Sequence, residues 1–145
     1  MVLFALAAFV VWRALGQLDA ADAELTAIER PRAAVDRIAA LIREQYIHQA
    51  HTIIESDRSH LDHYGDIARL TRSTVASLRP MLPSEVDQRS LGTIAELVRR
   101  NDEEFLALTV PAVDAGNVAR ARELHRDMEA IVIAALRENR VLADR

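Results

Sequence analysis

Apolar residues recur at steps of three and four along almost the whole chain, and a helix is the structure that gathers residues at that spacing on one face. Val35, Ala39, Ile42, Tyr46, Ala50 and Ile53 form one stripe, and Ile67, Leu70, Val75 and Leu78 form a second. Leu91, Ile94, Val98, Phe105, Leu108 and Ala112 form a third, and Val118, Ala121, Leu124, Met128, Ile131, Ala135 and Leu142 a fourth. Breakers and caps stand between them. Ser56 and Asp57 are N-cap candidates for the second helix, and Pro80 and Pro83 end it. Ser84 with Asp87 is a Ser-x-x-Asp variant of the capping box, and Gly116 before Asn117 reads as a stop followed by a new cap. Pro31 predicts a kink in the first helix, and Pro111 one in the last turn of the third. Long amphipathic helices joined by short loops lie beside their neighbours in alternating direction. The expected fold is therefore all-α, an up-down-up-down antiparallel four-helix bundle.

Composition agrees and removes several function classes. With 4 glycines and 4% aromatic residues among many Ala, Leu, Arg and Glu, the chain suits helices and lacks what a sheet prefers. There is no cysteine, which excludes disulfides, thiolate metal sites, cysteine-anchored haem and cysteine catalysis. The net charge of -4, with arginines and acids interspersed, provides no basic field, so no nucleic-acid partner is expected. Arg99 and Arg100 beside Asn101, Asp102, Glu103 and Glu104 read as a salt-bridged solvent face.

The amino-terminal segment departs from this pattern. Val2 to Val11 is unbroken apolar sequence, shorter than the roughly 20 residues that span a bilayer. It reads as the end of a transmembrane helix cut from a longer protein, with Trp12 and Arg13 as interfacial anchors. A secretory signal peptide is the competing account, but no basic segment precedes the run and no clear small-x-small cleavage site follows it. The expected division is 1–17 as part of a transmembrane helix and 18–145 as the bundle domain.

A membrane helix running into the first bundle helix, Pro31, the Pro80–Pro83 turn and the junction from Val110 through Gly116 and Asn117 to Ala121 carry a family resemblance. Together they resemble the four-helix-bundle sensory domains of bacterial chemoreceptors and transmembrane sensor histidine kinases. The resemblance implies a non-catalytic, ligand-sensing periplasmic module at the inner membrane. It further implies a homodimer, with a second membrane helix and cytoplasmic signalling parts, including a kinase in some members, beyond this segment. It supplies no ligand-binding residues.

The histidines are the chain's own candidates. His48-x-x-His51 and His60-x-x-His63 flank a turn near Ser56, so folding back there sets His51 opposite His60 and His48 opposite His63. Imidazole is the commonest transition-metal ligand and titrates near neutral pH. Glu44, His48, His51 and Glu55 share one face of the first helix, which places that face away from the Val35–Ile53 stripe, so the two dyads either split or meet only at a groove or a dimer interface. His60, His63 and Tyr64 continue the inward stripe of the second helix, where His125 is the expected companion of His63, with Met128 at i+3.

Three ligand readings stay open. A divalent transition metal could take several imidazoles with Glu44, Glu55, Asp57 or Asp62. A b-type haem could sit between two histidines, with Met128 as another axial ligand. A pH sensor needs crowded imidazoles alone. A solvated polar face and hydrogen-bonded buried histidines explain the same pattern without a ligand. Di-iron ligand pairs, nucleophile elbows, phosphate loops and a Ser59–His60–Asp62 triad are not supported by the spacing, so no catalytic residue is assigned. Two functions follow: a sensory domain that converts binding into helix movement, or a membrane-anchored metal- or haem-binding protein without a signalling role.

Overall fold

A computed structural model describes residues 2–56 and 58–145, with side chains from Trp12 onward except those of Ala14, Ala20 and Ala23. The described residues are mostly helical and contain no strand. Helix α1 spans Val2–Glu55 and remains one helix through Pro31. Helix α2 spans Leu61–Leu78 and passes through a 3-10 turn at Arg79–Met81. Helix α3 (Glu85–Glu104) runs through a π-helical turn at Phe105–Thr109 into α4 (Val110–Asp114), and α5 spans Val118–Ala143. Because α3 and α4 are continuous, the chain makes four long helical rods. Helix α1 packs along α2 and α5, and α3 packs along α5.

The turns follow the local chemistry, with two corrections. Ser56 adopts φ 55 and ends α1, its hydroxyl donating to the Ile53 carbonyl, so it is not an N-cap of α2. Asp57 lies outside the described residues. Helix α2 instead starts after His60, whose side chain makes no cap bond. Ser84 does cap α3, accepting from the Val86 amide at 3.2 Å. Its expected partner Asp87 pairs with Arg145 rather than reaching back. Gly116 at φ 68 supplies the left-handed residue that closes α4, and Asn117 accepts from the Arg120 amide to open α5.

The π turn moves the register of the third rod. Pro111 has no N–H for the Ala107 carbonyl, and its ring would strike that oxygen in a regular helix. The chain widens by one residue just ahead of it, with the Val110 amide donating to the Phe105 carbonyl. The inward positions therefore become Thr109, Val110 and Val113, and Leu108, expected inside, is half exposed.

The core changes character along its length. One end is apolar, built from Val35, Ile38, Ile42, Leu78, Leu91, Ile94 and Val132. Farther along α1 the same inward face presents Gln45, Gln49 and Thr52, each almost fully buried, beside Tyr64 and Phe105. No helix among the described residues is long and apolar enough to cross a membrane. The side chains of the Val2–Val11 run lie outside those residues.

Candidate functional site

Helix α1 ends at Glu55 and α2 begins at Leu61, so the short return sets the last turns of one helix against the first turns of the next. This brings all four tip histidines together. The His51 and His60 rings lie 4.9 Å apart, His48 and His60 5.6 Å, His48 and His63 5.8 Å, and His48 and His51 6.4 Å, all between centroids. The mirrored pairing holds, and the dyads meet along the α1–α2 contact rather than split. Tyr64, buried to 1% exposure, takes the inward position of α2. His63 stands about 100° around the helix from it, on the flank that meets α1. His48 and His60 are half buried, whereas His51 and His63 are exposed.

Within this group, His51, Glu55 and His60 place one ligand atom each within 4.8 Å of one another. The Glu55 carboxylate already meets His60 Nε2 at 3.0 Å. Two imidazoles and one carboxylate suit zinc and other divalent first-row ions, leaving coordination positions for water or a further ligand. Glu44 stands outside this trio, one turn before His48 on α1, and acts on His48 through its charge. His125 is elsewhere: its ring stacks on Tyr46 at 4.4 Å and 14°, rather than joining His63. Met128, the other axial ligand considered for a haem, is sealed in the core with Tyr64 and Phe105.

Burial holds the His48 imidazolium below its usual range, helped by the neighbouring His60 and opposed by Glu44, with His63 and His51 adding to the depression. Burial likewise lowers His125, against a smaller opposing effect of Glu129. Each of these histidines binds fewer protons folded than unfolded. Its stabilising share is complete above the unfolded value of 6.5 and is lost as pH falls through that value toward the depressed folded one. Metal-free protein should therefore melt lower near about pH 5 than near about pH 7. His125→Gln should flatten part of that slope. Thermal unfolding followed by circular dichroism measures it, and a melting temperature that climbs on acidification would contradict it.

A second polar centre lies beneath the tip and was not foreseen. Asp102, expected on a solvent face, is 7% exposed. Its carboxylate accepts from Tyr64 Oη at 2.6 Å, from Arg72 at 2.6 Å and from Gln45 Nε2 at 2.9 Å. Thr71 donates to the other end of the Gln45 amide at 3.2 Å. Burial, then the Asp102 charge, pushes the Tyr64 hydroxyl far above its usual range, so it stays a donor. The arginines around Asp102 behave as expected, with Arg99 paired to Glu96 and Glu103, and Arg100 to Glu104. The available signal was spacing: Asp102 falls four after Val98 and three before Phe105, on the inward stripe.

Compared with known protein families, curated proteins and solved structures, the chain matches none.

Proposed function

We propose that this chain is the periplasmic sensory domain of a bacterial transmembrane receptor, and that its α1–α2 tip binds a divalent transition metal ion. The observation that carries the proposal is the convergence of His51, Glu55 and His60 within 4.8 Å, ringed by His48 and His63. In this reading the rods form an up-down-up-down antiparallel bundle, and α1 continues into the membrane through its apolar first turns. The domain binds and does not catalyse. Its partner is a second copy: Leu18, Leu25 and Ile28 are exposed on α1 at steps of seven and three, the spacing of a coiled-coil seam.

A metal bridging the end of α1 to the start of α2 favours one packing of those helices. A ligand biases an equilibrium by its difference in affinity for the two states. The Asp102 cluster lies directly beneath and joins α1, α2 and α3, so a shift at the tip reaches three rods together.

Metal-stripped protein titrated with zinc should take up one ion per chain. Saturation at about 100 times Kd should stabilise the fold by about 2.7 kcal/mol. His51→Ala and His60→Ala should each weaken binding at least about 100-fold, the upper range for losing even an outer-shell partner. His125→Ala should not weaken it. Absence of stoichiometric zinc, nickel or copper uptake, with an unchanged melting temperature, would sink the metal reading.

A further inference from the structure

Farther back on α1, away from the histidine tip, an open groove of about 600 Å³ runs between α1 and α5. That volume lies within the range of small-molecule sites. Arg32 and Arg43 stand on its α1 wall, and Arg137 and Arg140 on its α5 wall. None of these four guanidiniums has an ion-pair or hydrogen-bond partner among the described residues. The arginines on the outer face of α3 differ, since Arg89, Arg99 and Arg100 are each paired with a glutamate on their own helix. Asp36 and Asp144 also border the groove. Four cations against two anions leave a local excess of two positive charges in a protein whose net charge is -4.

Asn139 borders the same groove, is 3% exposed and donates from Nδ2 to the Val35 carbonyl at 3.0 Å. Its Oδ1 is buried with no hydrogen-bond partner. Asn139 thus ties α5 to α1 at the base of the groove, and its Oδ1 is closed off from any ligand there. Guanidinium forks match the paired oxygens of carboxylates and phosphates, and unpaired guanidiniums on facing walls suit a molecule with more than one such group.

We propose that the α1–α5 groove is an anion site for a molecule with carboxylate or phosphate groups, held between Arg43 on one wall and Arg137 and Arg140 on the other. Such a ligand bridges α1 to α5, a different pair of helices from the one joined at the histidine tip. The site stands whether or not the tip binds metal. The same chemistry is offered by a free organic anion and by an anionic lipid headgroup.

The test uses the full metal-free chain with citrate, with glycerol phosphate, and with vesicles of phosphatidylglycerol against vesicles of phosphatidylcholine. Saturable binding of a free anion, or retention on the phosphatidylglycerol vesicles alone, is the expected result. The first outcome assigns a soluble ligand and the second a headgroup. In either case the double variant Arg137→Gln/Arg140→Gln should weaken binding at least about tenfold. Arg43→Gln, on the facing helix, should weaken it too, Asp36→Asn should tighten it, and Arg99→Gln should change nothing. All five positions are exposed, so the variants should keep the wild-type circular dichroism spectrum. No binding to any probe at millimolar concentration, or binding that the groove variants leave unchanged, overturns the proposal.

Discussion

Asp102→Ala should lower the free energy of unfolding by about 3 kcal/mol. The substitution removes the acceptor of three donors at once, and their fates differ. Arg72 has a side chain 54% exposed and can return to water, so its loss adds little. Tyr64 Oη and Gln45 Nε2 are enclosed and keep the cost of an unmade hydrogen bond, about 1–3 kcal/mol each. Asp102→Asn should cost less, because one amide oxygen still accepts. Chemical denaturation of both variants at neutral pH reads the difference. A loss below about 1 kcal/mol for the alanine variant would show that the carboxylate is not the hub of this layer.

Phe105→Ala should cost about 3–5 kcal/mol. Phe105 has no exposed surface and lies 4.6 Å from the Tyr64 ring between centroids, so truncation opens a cavity and removes an aromatic pair. It is also the first residue of the π turn, where backbone hydrogen bonding is already irregular. Tyr64 touches both Phe105 and Asp102, so the double variant should lose less than the two single losses added together. Additive losses would mean that Tyr64 does not connect the two sites.

Which parts of this protein were legible beforehand follows from what a periodic pattern can record. Apolar stripes and their breakers located four long helices, because burying one face of each is the dominant driving force and shows directly as spacing. The π turn was not legible, since a one-residue widening leaves composition untouched and shows only as a misplaced Leu108. The polar layer was missed for a related reason. Gln45, Gln49 and Asp102 occupy inward positions, but residues of their type ordinarily face solvent, and a partner 57 residues away in the chain leaves no local trace. For the histidines, pairing across the turn was readable from symmetry. Which flank of α2 they share with α1 depends on Tyr64 claiming the interior. His125 was expected beside His63, and its stacking on Tyr46 was not evident in its sequence neighbourhood.

The two halves of the core differ in what they permit. Contacts among Ile38, Leu78, Leu91 and Ile94 depend on area, and a small axial slide of one rod past another changes them gradually. The bonds to Asp102 depend on direction and on distances of 2.6–2.9 Å, and they weaken steeply with misalignment. A rod in this protein is thus keyed at one level and greased at another. Relative movement of the rods is therefore resisted most sharply at the Asp102 level, where α1, α2 and α3 are held by direction as well as by distance.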